Sequence, residues 1–151
     1  MTKICTFFGH RYASLSKEQE EKLKQIIVDL IQNHDVSRFW VGGKGYFDSL
    51  AHTMVKNLKK DFPHIKLELA LAYIPTNKEY YEYLEQCYDS VFCPEGIELG
   101  PPRFAICRRN KTMVLQADYL IFYVHSNDGG AYQALKIAKR NNKTLFNIAE
   151  K

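Results

Sequence analysis

The sequence predicts one three-layer α/β domain built on a mostly parallel sheet. Short β-branched and apolar runs alternate with segments whose apolar residues recur at helical spacing, and short loops join them. One run, residues 119–124, is apolar throughout, as suits a strand buried on both faces of a parallel sheet. Glycines follow directly after the strand-like runs, where open parallel sheets present their ligand-binding edge.

Residues 4–8 read as the first strand, ended by Gly9. Ser16 and Gln19 form a capping box, and Leu23, Ile26, Ile27, Leu30 and Ile31 place an amphipathic helix behind it. Residues 36–41 form the second strand, closed by Gly42 and Gly43, after which Asp48 is expected to cap a helix carrying Ala51, Met54, Val55 and Leu58. Residues 65–74 supply a third strand that Pro75 ends. Thr76 and Glu79 read as a second capping box before a stripe of Tyr80, Tyr83, Leu84, Cys87 and Tyr88, and residues 90–93 as a brief fourth strand. Pro101 and Pro102 suit the first turn of a helix running to about Gln116, since proline there loses no needed N–H. Residues 119–124 are strand five. A helix with Ala131, Ala134, Leu135 and Ala138 on one face leads to strand six at residues 143–149.

A length of 151 residues matches one ordinary domain, and 46% apolar with 25% charged residues excludes disordered and coiled-coil classes. No apolar run approaches a membrane span, and the start of the chain has no secretory pattern, so the expected location is the cytoplasm. Four cysteines without a Cys-x-x-Cys pair and five scattered histidines encode neither zinc site nor disulfide framework; the thiols are expected to be reduced and buried. No metal or cofactor is called for. The 21 basic against 17 acidic residues give +4, which suits a small anionic ligand and is too mild to announce DNA.

Four loops carry the unusual residues: Gly9-His10-Arg11, Gly42-Gly43-Lys44-Gly45, Pro94-Glu95-Gly96, and Asn127-Asp128-Gly129-Gly130. Glycine backbones and helix N-termini of this kind can cradle phosphate; each glycine can equally serve only to turn the chain. Neither a Walker A run nor Gly-x-Gly-x-x-Gly occurs, which removes the support for ATP hydrolysis and ordinary NAD chemistry. Asn110 falls on a stripe marked by Ile106, Met113, Val114 and Ala117, so its amide is expected to meet a loop backbone or a ligand. Of Arg108 and Arg109, one is expected to reach the strand ends and the other to be a solvated surface charge.

Gly9-His10-Arg11, Gly42-Gly43-x-Gly45-x-Phe47-Asp48, Arg109-Asn110-x-x-Met113 before Ala117-Asp118, and Gly129-Gly130-Ala131 together resemble the SLOG superfamily over nearly the whole chain. The small YoqJ/YpsA-like branch of bacterial and prophage proteins is the nearest in pattern. The superfamily includes LOG-type phosphoribohydrolases and the DprA DNA-processing proteins. The resemblance implies one Rossmann-like nucleotide-binding domain over residues 1–151 and a tendency to form homodimers. The LOG enzymes have Arg-Lys-x-x-Met where this chain has Asn110 second, and a catalytic glutamate where this chain has Ala134.

The resulting expectation is a sensor or sequestering module for a nucleotide-derived ligand, of ADP-ribose-like or cyclic-nucleotide class, with no enzymatic role. Gly9, His10, Gly42, Gly43, Gly45, Asp48, Gly129 and Gly130 would shape its pocket, Arg11 and Arg109 would meet phosphate, and Asn110 would read a ribose or base edge. The alternative is hydrolysis of a nucleotide N-glycosidic bond by Asp48 or Glu95. A remoter one is DprA-like binding of single-stranded DNA, for which +4 is a weak basis.

Overall fold

A computed structural model describes residues 2–12, 14–94 and 100–149. The strands are β1 (Lys3–Gly9), β2 (Val36–Val41), β3 (Lys66–Ala70), β4 (Ser90–Phe92), β5 (Tyr119–Tyr123) and β6 (Thr144–Asn147). Between them lie α1 (Lys17–Asn33), α2 (Tyr46–Leu58), α3 (Lys78–Cys87), α4 (Ala105–Gln116, entered through a 3-10 turn at Pro102–Phe104) and α5 (Gly129–Arg140). The six strands form one sheet in the order β4-β3-β2-β1-β5-β6, and every pair is parallel.

Strand residues alternate between faces, and each face has its own core. Cys5, Phe7, Phe39, Val41, Leu67, Leu69 and Ile121 meet Leu23, Ile27 and Leu30 of α1 and Phe47, Ala51 and Val55 of α2. On the other side Phe8, Trp40, Ala70, Leu120 and Phe122 meet Met113 and Val114 of α4 and Ala134, Leu135 and Ala138 of α5. Helices α1, α2 and α3 therefore cover one face and α4 and α5 the other, as right-handed crossovers require. The chain works outward from β1 to β4, then returns to place β5 on the far side of β1. That reversal puts α4 and α5, the helices before and after β5, on one face of the sheet, and a recess opens between their ends beside the carboxyl end of β1.

The structure corrects several sequence expectations. Strand β3 stops at Ala70 because its neighbours stop: the pairing ends at Val41–Leu69 on one side and Ala70–Phe92 on the other. Tyr73 and Ile74 leave the sheet and are 59% and 57% exposed. Asn77, not Thr76, caps α3, accepting from the Tyr80 N–H at 3.0 Å. The aromatic stripe expected on α3 is not a core stripe; only Leu84 is buried, because the edge strand beside it is three residues long. Helix α2 begins at Tyr46 behind Gly45, so Asp48 lies inside its first turn rather than at its cap. Ile106 is exposed and Asn110 half-buried, since that face of α4 overhangs the strand ends while Ala105, Met113 and Val114 face the sheet. Cys5 is buried, which pushes its thiol up, but Cys107 is exposed and Cys87 and Cys93 are half-buried. Among the described residues no helix is long and apolar enough to cross a membrane.

The last link before the cleft is a side chain imitating a strand. Asn147 accepts from the Val124 N–H at 3.1 Å and donates Nδ2 to the Val124 carbonyl at 2.9 Å, which fixes the end of β5 just where its loop departs. Asn147→Ala leaves both groups of Val124 unpaired in a half-buried setting. The expected loss is roughly 1–3 kcal/mol in urea unfolding, with faster amide exchange at Val124. Unchanged exchange there would show that Asn147 does not hold the strand end.

Candidate functional site

The cleft lies over the carboxyl ends of β1 and β2 between α4 and α5. It is a small recess of about 90 Å³ lined by Gly9, Lys44, Asp48, Arg109, Asn110 and Ala131, among others. A second recess of about 220 Å³ shares Gly42, Lys44 and Arg109 with it and extends over β3 to Tyr73, Tyr80 and Ile106. Through Ala72 and Tyr73 this opens into a third, about 520 Å³, against Cys93, Pro102 and Ala105. The three recesses adjoin along the sheet edge through these shared wall residues, from the polar one beside α5 to the apolar ones toward β4.

Arg109 spans the groove floor. Its Nη1 donates to the Gly42 carbonyl at 3.3 Å and to the Ala70 carbonyl at 3.5 Å, and its Nε and Nη2 donate to Asn110 Oδ1 at 3.1 and 3.0 Å. The guanidinium fork joins α4 to the loops after β2 and β3, and these donors are already engaged within the protein. A Cβ at Gly42 would lie 3.0 Å from Arg109 Nη2, so this glycine makes room for the strut. Asn110 orients Arg109 through Oδ1 while its Nδ2 end faces Gly130, whose Cβ would lie 3.5 Å away. Arg108 is not the solvated charge expected: Nη1 donates to the Pro101 carbonyl at 2.9 Å and Nη2 to the Gly100 carbonyl at 3.2 Å.

Asp48 holds the same loop from the opposite side. Its Oδ2 accepts from the Lys44 N–H at 3.3 Å. Burial pushes its carboxyl up to about 6, against the opposing pull of the Lys44, Gly42 and Gly43 N–H groups and of Arg109. The N–H groups expected to cradle phosphate after β2 are therefore turned toward Asp48. Gly9 has a packing role, since a Cβ there would fall inside the Phe47 side chain. Arg11 is exposed, and its carbonyl accepts from the Tyr46 N–H at 3.0 Å, tying the β1 loop to the start of α2.

The other wall is the start of α5. His10 Nε2 accepts from the His125 N–H at 3.0 Å and the Ser126 N–H at 3.2 Å, so the imidazole is neutral with its proton on Nδ1. Burial and His125 lower its pKa, against Asp128. Ser126 Oγ donates to Asp128 Oδ1 at 2.9 Å, and the Asp128 side chain makes no capping bond to α5. Gly129 adopts φ +88° and a Cβ there would meet nothing within 4 Å, so the start of α5 is unobstructed and has no side-chain cap, and Ala131 in its first turn lines the recess.

The structure thus gathers Gly9, Gly42, Asp48, Arg109 and Asn110 around one recess, with Gly130 beside Asn110 and His10 bracing the β5 loop. Glu95 lies outside the described residues. Ala134 is buried in the core, so a carboxylate at that position would face the sheet and not the cleft. Sequence reasoning missed Lys44 and Ala131 on the cleft, Ser126 in the His10 brace, and Tyr73 and Tyr80 on the groove. The tyrosines carried a signal: aromatics on a short helix beside a three-residue edge strand cannot all be covered.

No protein-family model matches the sequence, and a search of curated proteins finds no match. Among the solved structures that share the fold are two of DNA processing protein A, so the architecture is Rossmann-like. One is DNA processing protein A (DprA) from Streptococcus pneumoniae, with a TM-score of 0.59 at 15% identity over 94% of this chain and 49% of that one. The other is DNA processing protein A from Helicobacter pylori, whose structure describes its single-stranded DNA binding mode. It has a TM-score of 0.61 at 14% identity over 95% of this chain and 64% of that one. The chain spans 49% of the one and 64% of the other, less than two thirds of either.

Two outcomes follow from the site. Arg109→Met removes the donors to Gly42, Ala70 and Asn110, and is expected to cost about 1–3 kcal/mol in chemical unfolding; Arg109→Lys, lacking the fork, recovers only part of it. Carbon-detected NMR of the Asp48 carboxyl should show a midpoint near 6. Because the folded pKa lies above the ordinary 3.8, ionising Asp48 costs stability as pH rises from about 4 to about 6, and the cost is constant above that. A midpoint near 4 would place this carboxylate in solvent.

Proposed function

We propose that this domain binds a nucleotide-bearing ligand, with a phosphate group at the opening of α5. The observation that carries the reading is the uncapped first turn of α5 facing the recess lined by Lys44 and Asn110 at the point where the strand order reverses. Lys44 brings a positive charge, Asn110 Nδ2 a neutral donor, and Gly129 the open backbone. Arg109 and Asp48 act as positioning residues that set the loop after β2. The ligand classes to test first are ADP-ribose and cyclic nucleotides, and the mode is sensing or sequestration.

A second reading, binding of single-stranded DNA, is favoured by the likeness to the H. pylori protein, which binds single-stranded DNA, and by the exposed tyrosines along the groove. Among the described residues, hydrolysis of an N-glycosidic bond rests on Asp48, whose carboxyl is already engaged with the loop.

Calorimetric titration with ADP-ribose, 3′,5′-cyclic AMP and a fluorescent oligothymidylate separates these readings. The small ligands should bind and raise the melting temperature. At 100 times the dissociation constant the added stability is about 2.7 kcal/mol. Ala131→Asp places a carboxylate at the third position of α5, where it complements the helix dipole and repels an anion, so it should abolish binding by a protein whose circular dichroism shows it folded. Affinity for cyclic AMP, whose phosphodiester does not titrate in this range, should rise several-fold from pH 8 to pH 5.5 as Asp48 takes up a proton. Micromolar oligonucleotide binding that the small ligands do not displace would replace the first reading with the second. Release of free base, lost in Asp48→Asn, would establish the hydrolase.

A further inference from the structure

The apolar arm of the groove has no part in holding a phosphate, yet the two recesses share three wall residues, Gly42, Lys44 and Arg109. A ligand seated at the opening of α5 and longer than a sugar phosphate must leave the polar recess somewhere, and past Lys44 this shared wall leads over β3. There the groove is walled by Tyr73 and Tyr80, 59% and 52% exposed, and by Ile106, 43% exposed, with Leu71, Ala72 and Pro75 completing it. Apart from Lys44 and Arg109 this lining offers no charged side chain, and the donors of Arg109 are engaged by Gly42, Ala70 and Asn110. Such a surface suits a flat aromatic ring with polar edges left in solvent. It does not suit a second phosphate or a sugar, whose hydroxyls would go without partners.

We infer that the Tyr73–Tyr80–Ile106 arm is a nucleobase site, so that the ligand lies along the sheet edge with its phosphate at α5 and its base stacked between α3 and α4. This rests on the phosphate reading above and adds the ligand's direction and its mode of selection. Recognition is by stacking rather than by an edge-reading hydrogen-bond code, so the site accepts more than one base. It also accounts for the α3 stripe: Tyr80 is exposed because it faces the groove, whereas Tyr83, one turn on and 59% exposed, lies outside the groove lining.

The test compares adenosine 5′-monophosphate with ribose 5-phosphate on the full chain, by calorimetry, for the wild type, Tyr80→Ala, Tyr73→Ala and Tyr83→Ala. All three tyrosines are exposed, so the variants should fold, as circular dichroism will confirm. The wild type should bind the nucleotide about tenfold or more tightly than the sugar phosphate. Tyr80→Ala and Tyr73→Ala should each reduce that advantage while leaving ribose 5-phosphate affinity within about twofold, and Tyr83→Ala should change neither. Guanosine 5′-monophosphate should bind within a few-fold of the adenosine nucleotide. Equal wild-type affinity for nucleotide and sugar phosphate, or an undiminished advantage in both groove variants, overturns the base site while the phosphate reading stands. Failure of the wild type to bind either compound overturns both.

Discussion

The loop after β2 is the constraint on which the rest of the site depends, and it is held from two sides by opposite charges. Arg109 reaches across from α4 to take the Gly42 carbonyl, and Asp48 turns back from α2 to take the Lys44 N–H. With both ends of the peptide groups engaged, the loop has little freedom, and Lys44 is held at the junction of two recesses. The same guanidinium takes the Ala70 carbonyl and Asn110 Oδ1, so one side chain sets the spacing of β2, β3 and α4 at the edge of the sheet. Burying this arginine is tolerable because its N–H groups meet oxygen acceptors with a carboxyl close by.

This arrangement divides the labour between residues that a motif reading groups together. Gly42 makes room for Arg109 and Gly43, at φ +81°, lies close over Leu69, and their N–H groups turn to Asp48, so they do not present a ready phosphate nest. The open donors lie instead at α5, where Asp128 spends its side chain on Ser126 and leaves the helix start uncapped. His10 braces that second wall as Arg109 braces the first. Each wall of the cleft is thus fixed by a side chain from the other half of the sheet, a direct result of β1 lying between β2 and β5.

Much of the architecture was legible from local pattern. The six strands, the five helices and the three-layer class follow from periodicity and turn residues, because backbone sterics and side-chain direction impose periods of 2 and 3.6 wherever one face is buried. The errors fall at the edges. Residues 72–74 look like strand but run past the last bond to the edge strand, from the Leu71 N–H to the Phe92 carbonyl, and the α3 tyrosines look like core but have too little sheet to cover. One arginine of the Arg108–Arg109 pair was expected at the strand ends, where Arg109 lies, but the other is not solvated: Arg108 is bound to backbone carbonyls as well.

The sequence by itself determined the alternation of elements, the two buried faces of the central strands, and the collection of glycine-bearing loops at one edge, since these depend on residues near one another in the chain. Only the tertiary structure decided what those loops do. The hydrogen-bond partners of Gly42, Asp48, Arg109 and Asn110 lie on α4, at the end of β3 and in the loop after β2, and a hydrogen bond across 67 positions, such as that from Arg109 to Gly42, leaves no local trace. Whether an N–H group is open to a ligand or turned toward a carboxylate depends on geometry at the scale of one bond. That geometry exists only once the strand order has brought the loops together.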